Sequence, residues 1–151
     1  MSVSRERHSD SLATFSNGIA IQTAGPGFHD FTEKVSAWLA GLGVGEGVVT
    51  LFVRHTSASL TIQENADPDV QLDLLDALSG LAPESPRYRH GSEGPDDMPA
   101  HIKGMLTSTS LQIPVRDGAM ELGTWQGIYL IEHRARPHHR KIAMNFTGTV
   151  V

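Results

Sequence analysis

The sequence predicts an α+β fold: one domain with a mixed or largely antiparallel sheet, two main helices and one short helix. Three observations carry that expectation. Two segments place apolar residues at helical spacing, Phe28 to Leu42 and Val70 to Leu81. Period-two apolar stretches gather toward the C-terminal end, at Leu111, Ile113 and Val115, at Ile128 to Ile131, and at Ile142, Met144 and Phe146. Strands clustered in this way, without strict alternation of strand and helix, are the α+β pattern. At 151 residues the chain has the size of one domain, which buries roughly 70% of its unfolded surface.

Residues 1–11 are polar and are expected to be frayed, with residues 12–151 forming the single domain. Alternation begins at Leu12 and Phe15, and Ser16, Asn17 and Gly18 read as a tight turn into Ile19 and Ile21, giving a hairpin or a pair of edge strands. After the Gly25, Pro26, Gly27 break, Phe28, Phe31, Val35, Trp38, Leu39 and Leu42 make a helical face. Asp30 and Glu33 resemble a capping box, and Gly41 and Gly43 supply the stop. Gly45 and Gly47 then turn the chain into Val48, Val49, Leu51, Phe52 and Val53, a run suited to a strand buried on both faces.

Leu60 and Ile62 resume alternation in a further strand. Asp67 is placed to cap a helix whose first position is Pro68, with Val70, Leu74, Leu75, Leu78 and Leu81 on its apolar stripe. Residues 83–97 hold three prolines and two glycines and are expected to form a long loop, a kind of segment that is often functional. A short helix follows, with Asp97 as its cap and His101 one turn in on the same side. Asp117 and Gly118 form a hairpin turn before Met120 and Leu122.

Composition excludes several functions. The absence of cysteine removes disulfides, thiolate nucleophiles and sulfur-ligated metals. A net charge of −5 argues against a phosphate-backbone binder, so no nucleic-acid partner is expected. No stretch approaches the ~20 apolar residues that span a bilayer, and the polar N-terminus shows no signal segment, so no membrane partner and a cytoplasmic location are expected. Eight histidines keep metal or acid–base chemistry in play.

Three places set titratable groups at the ends of elements: His55 with the hydroxyls of Thr56, Ser57 and Ser59; Asp96, Asp97 and His101; and Glu132, His133 and Arg134. If the sheet brings those ends together, they make a divalent-metal or general acid–base constellation. Zinc suits the imidazoles, whereas magnesium prefers carboxylates and a substrate phosphate. The bland readings are a hydrogen-bonded His55, an Asp97 that only caps a helix, a surface ion pair between Glu132 and Arg134, and solvated turns at His90, His138 and His139. Thr56, Ser57, Ser59, the amides near Gly91 and Gly94, and Arg87, Arg89 and Arg134 offer a non-standard phosphate cradle, since no P-loop pattern occurs.

Three segments carry a family likeness: HTSASLTIQENADPDV at 55–70, YRHGSEGPDDMPAHIK at 88–103 and LGTWQGIYLIEHR at 122–134. Together they resemble the YjbQ-type family, also called secondary thiamine-phosphate synthases. The resemblance implies a homotrimer with a weak thiamine-phosphate synthase activity, joining a pyrimidine pyrophosphate to a thiazole phosphate with release of pyrophosphate. It implies catalytic roles for His55, Asp97, His101, Glu132 and Arg134, and substrate contacts from Thr56, Ser57, Ser59, Glu64, Asn65, Asp67, Trp125 and Gln126. Metal-facing imidazoles are expected at His55, His101 and His133, holding zinc or magnesium. Some relatives carry a further histidine where this chain has Pro99, so a ligand set borrowed from them is incomplete here. The alternative is a non-catalytic trimer that binds a phosphorylated metabolite or a metal. In a third, structural reading the histidines and Asp97 serve only subunit contacts.

Overall fold

A computed structural model describes residues 11–151; the expectation of fraying over residues 1–11 lies almost wholly outside them. The elements in chain order are β1 (Leu12–Thr23), β2 (Gly27–Asp30), α1 (Thr32–Leu42), β3 (Val44–Val53), β4 (Ala58–Glu64), α2 (Pro68–Leu81), α3 (Asp97–Leu106), β5 (Ser110–Arg116), β6 (Ala119–Met120), β7 (Gln126–Glu132) and β8 (His138–Val150). They form two sheets, a five-stranded one in the order β1-β8-β3-β5-β6 and a three-stranded one in the order β2-β7-β4. Every pairing is antiparallel, so the expected α+β class with three helices holds. None of the helices among the described residues is long and apolar enough to cross a membrane.

The period-two pattern decides what each strand buries. Val49, Leu51 and Val53 of β3, Ile142, Met144 and Phe146 of β8, and Leu60, Ile128 and Leu130 of the smaller sheet form one apolar core with Val35 and Leu39 of α1. Fully burying one such side chain is worth about 1.5–3 kcal/mol. The opposite face of the smaller sheet is also covered, on the side of α2 and α3. Tyr129 receives a hydrogen bond there from Gln71 of α2, and Ile131 is 2% exposed. The layers are therefore large sheet, small sheet with α1, then α2 and α3.

Four local expectations are corrected. Ser16, Asn17 and Gly18 do not turn the chain: β1 runs through them, paired throughout with β8 from Leu12↔Thr149 to Thr23↔His138. The cross-strand ladder outweighs the turn propensity of three residues. β3 is buried on one face only, since Phe52 is 48% exposed while Leu51 and Val53 are sealed. Gly45 and Gly47 lie inside β3 and not in a turn; Gly47 faces Gly148 of β8, and neither position has room for a Cβ. No capping box forms at α1, because Asp30 accepts from Thr32 N and Oγ1 instead (2.9 and 2.6 Å). The Asp67–Pro68 start of α2 does form, with Asp67 accepting from the amide of Asp69 at 2.9 Å, and Asp117 and Gly118 make their left-handed hairpin turn.

Candidate functional site

The β4–β7 ladder sets the two ends of the site region. Ala58 pairs with Glu132 at one end and Glu64 with Gln126 at the other, and six strand steps span about 20 Å. The site residues that the family resemblance implies are thus divided on a single chain, while the three titratable clusters all belong to one end. His55, Thr56, Ser57, Ser59, Glu132, His133 and Arg134 belong to the first end, where α3 also docks. Glu64, Asn65, Asp67, Trp125 and Gln126 belong to the second.

At the first end the centre is Asp97, which is 4% exposed. It is the first residue of α3 and not its cap; Asp96 occupies the cap position without a side-chain cap bond. Freed from capping, the Asp97 carboxylate reaches three partners. Oδ1 accepts from Arg134 Nη1 at 2.6 Å, and Oδ2 meets His90 Nε2 at 2.5 Å and His101 Nε2 at 3.2 Å. His101 arrives through helical spacing, four residues on. His90 comes back from the long 83–97 loop, and the two imidazoles stand edge to face with centroids 5.3 Å apart. Burial alone pushes the Asp97 carboxyl up, but the His90 hydrogen bond, the Arg134 charge and the two imidazoles together hold it below the usual carboxylate range.

Arg134 fixes the loop and the helix start together. Its guanidinium donates to Asp96 Oδ2 (3.1 Å), Asp97 Oδ1 (2.6 Å) and the carbonyl of Glu93 (2.9 Å). Asp96 also accepts from the Ala135 amide at 2.9 Å. Arg134 is 8% exposed, so the bland reading of a surface pair with Glu132 does not hold: the two buried side chains have different partners. Glu132 is sealed between the sheets and accepts from Arg140 Nε (2.8 Å), Arg140 Nη2 and Thr23 Oγ1, as well as from the amides of His133 and Arg134. With its oxygens so occupied, Glu132 acts as a structural anion in this arrangement.

His133 points to the helical side and is 3% exposed. Its Nε2 pairs with Ser59 Oγ at 2.8 Å, and Ser59 with Thr107 Oγ1 at 2.6 Å. Burial, with Lys103 nearby, depresses its pKa to about 4, so it is a neutral ring at ordinary pH. His55 accepts the Lys141 amide at Nε2, 2.8 Å; burial and then Arg140 lower its pKa. Ser57 accepts from Arg140 at 3.0 Å.

Three ligand atoms, one each from His90, Asp97 and His101, all lie within 4.8 Å of one another. Two imidazoles and a carboxylate are a donor set that suits a divalent transition metal, and three protein ligands leave a position open for a further one. Of the imidazoles expected to face a metal, His101 is in this group; His55 and His133 stand outside it, their Nε2 atoms already in hydrogen bonds. For His90 the sequence supports only a solvated turn. Its sole sequence signal was position, in a proline- and glycine-rich loop leading to Asp97.

Hollows flank the cluster on either side. One of about 450 Å³ is lined by Glu84, Tyr88, His90 and Gly94, the other of about 280 Å³ by His55, Thr56, His101, Met105 and Thr109. At the far end of the ladder Asn65 donates to the carbonyls of Thr124 and Gln126 (3.2 and 3.4 Å), Glu64 accepts from the Asp67 amide, and Trp125 is 64% exposed.

Residues 17–149 match the model of a family described as UPF0047 protein YjbQ-like. The chain is similar to UPF0047 protein sll1880 of Synechocystis, 53% identical over 133 residues, covering 87% of this chain and 90% of that one. It is similar also to UPF0047 protein YjbQ of Salmonella typhimurium, 46% identical, covering 81% and 89% of the two chains. Among solved structures, a YjbQ/UPF0047 protein of Clostridium acetobutylicum superposes with a TM-score of 0.79 at 38% identity, covering 86% of this chain and 98% of its own.

Proposed function

The chain belongs to the YjbQ-like UPF0047 family, and from that premise we propose that it binds a divalent metal at His90, Asp97 and His101 and receives a small phosphorylated metabolite beside it. The observation that carries this reading is the convergence of those three ligand atoms within 4.8 Å. When bound, the cation supplies charge to phosphoryl oxygens. The chain's own contribution is positional. Arg134 holds Asp97 by one oxygen and so turns the other toward both imidazoles, an orienting role of the kind that tunes metal ligands.

The binding reading stands ahead of thiamine-phosphate synthesis because both buried guanidiniums near the cluster are consumed internally. Arg134 serves Asp96, Asp97 and Glu93, and Arg140 serves Glu132 and Ser57. A departing pyrophosphate calls for unpaired cations. A homotrimer is part of the proposal. Trp125, Leu81 and Phe52 are large apolar side chains exposed on the single chain, and assembly offers a way for the Glu64, Asn65, Trp125 and Gln126 end of one subunit to approach the histidine end of another.

Equilibrium dialysis against zinc or magnesium, followed by elemental analysis, tests the metal. Wild-type protein is expected to retain one equivalent per chain, and His101→Ala and His90→Ala to lose it with little change in thermal unfolding. Full metal content in both variants sinks the proposal. Incubation of concentrated protein with the pyrimidine pyrophosphate and thiazole phosphate then separates the readings: product lost in His101→Ala favours the synthase, and binding without product favours the non-catalytic protein.

A further inference from the structure

His55 stands in the hollow it shares with His101, Met105 and Thr109, outside the metal cluster. Its Nε2 lies 2.8 Å from the backbone nitrogen of Lys141, an obligate donor. Nε2 must therefore accept. In a neutral imidazole one nitrogen accepts and the other carries the hydrogen, which places the hydrogen on Nδ1. No acceptor for that hydrogen occurs among the described residues, and none of their buried side-chain nitrogens or oxygens lacks a partner, so Nδ1–H is open to solvent. Protonating Nε2 would set two donors against each other, so the ring is locked against becoming an imidazolium. With its lone pair committed to Lys141, His55 is unsuited to ligate a metal or to accept a proton.

We infer that His55 is a fixed, uncharged hydrogen-bond donor in this hollow, whose Nδ1–H takes an oxygen of the phosphoryl group bound beside His101. The choice of ligand rests on the metal reading proposed above; the tautomer does not. A neutral imidazole held as a donor can polarise an oxygen without giving up a proton, a known device for carbonyl and phosphoryl chemistry. Two neighbours hold the donor in place. β8 supplies the Lys141 amide, and Gly104 of α3 lets the helix approach the carbonyl of Thr56 so closely that a Cβ there would lie 3.2 Å from it. Ala58 and Met105 add apolar groups to the lining of the hollow.

Nitrogen NMR of metal-free protein labelled at histidine reads the tautomer directly. A proton on Nδ1 and a bare Nε2 at His55 are expected at neutral pH; a proton on Nε2 overturns the inference. Inorganic phosphate is then titrated into protein loaded with one equivalent of zinc. His55→Asn places an amide donor near the Nδ1 position and is expected to bind phosphate within about threefold of wild type. His55→Gln satisfies the Lys141 amide but offers no donor at that position. A hydrogen bond to a charged group is worth about 1.5–3 kcal/mol, so Gln is expected to weaken phosphate at least about tenfold. Zinc content should be unchanged in both. Zinc lost from His55→Gln makes His55 a ligand and overturns the inference, as does equal phosphate affinity in Gln and wild type or no phosphate binding by wild type. If wild type holds no zinc, the metal reading fails on its own; the titration is then run without metal and judged by the same comparison.

Discussion

His133 gives the sharpest test of the packing, because a buried neutral imidazole makes stability depend on pH in a computable way. In the unfolded chain a histidine titrates near 6.5, and in the fold His133 is pushed down to about 4 by burial first and by Lys103 second. Between those values the unfolded chain binds the proton that the folded chain refuses, so stability rises with pH across the window. The contribution is complete above about pH 6.5 and is lost as pH falls toward 4. At about 1.4 kcal/mol for each tenfold change in proton affinity, the whole window is worth about 3 kcal/mol, and about 2.5 kcal/mol of it is gone by about pH 4.5. The variant to compare is His133→Gln, whose amide reaches the Nε2 position and keeps Ser59 partnered but does not titrate. Urea unfolding of both proteins at one fixed concentration, at pH 7.5 and 4.5, gives the double difference; wild type is expected to lose about 2.5 kcal/mol more than the variant. Parallel losses would refute the reasoning, because they would mean that the ring accepts its proton in the folded state and that the contact with Ser59 and Thr107 opens to water.

Other perturbations probe neighbouring parts of the same assembly. Arg134→Met leaves the buried Asp97 and the half-buried Asp96 without their counter-charge; it is expected to cost about 3 kcal/mol in denaturant unfolding, and a loss under about 1 kcal/mol would show that the guanidinium only decorates the surface. Gly104→Ala sets a methyl 3.2 Å from the Thr56 carbonyl and is expected to bring none of the ~1 kcal/mol that alanine normally adds over glycine inside a helix, while zinc content stays at wild type because Gly104 is not among the three ligands; loss of zinc in dialysis would contradict it. Asp67→Ala removes the cap of α2 at a cost of about 1 kcal/mol with zinc binding untouched, and a zinc defect in this variant would place the far end of the ladder in the metal site.

How much of this was legible in the sequence follows from the range of each interaction. The Asp97–His101 pair was readable because helical spacing is local, and so was the Asp67–Pro68 start of α2. His90 was not, since nothing in a proline- and glycine-rich loop says where its far end returns. Residue type favours Asp97 as a cap; the structure gives that position to Asp96, and Arg134, just beyond β7, bonds one oxygen of Asp97 and one of Asp96 instead. The turn at Ser16, Asn17 and Gly18 does not form for the same reason, as a twelve-residue pairing with β8 overrides a three-residue preference.

One long-range feature lies in the parity of two charged residues. Along β8, Arg140 shares the parity of Ile142, Met144 and Phe146, all of which face the core. Along β7, Glu132 shares the parity of Ile128 and Leu130, which face the same core from the other sheet. Opposite charges that each extend an apolar stripe cannot both be solvated and stay in register, since a shift by one residue would expose every core side chain on the strand. In the structure both are buried, and a buried charge persists only when paired. The Arg140–Glu132 bond pairs them between the two sheets at the last residue of β7, directly before His133 and Arg134 leave the ladder toward α3.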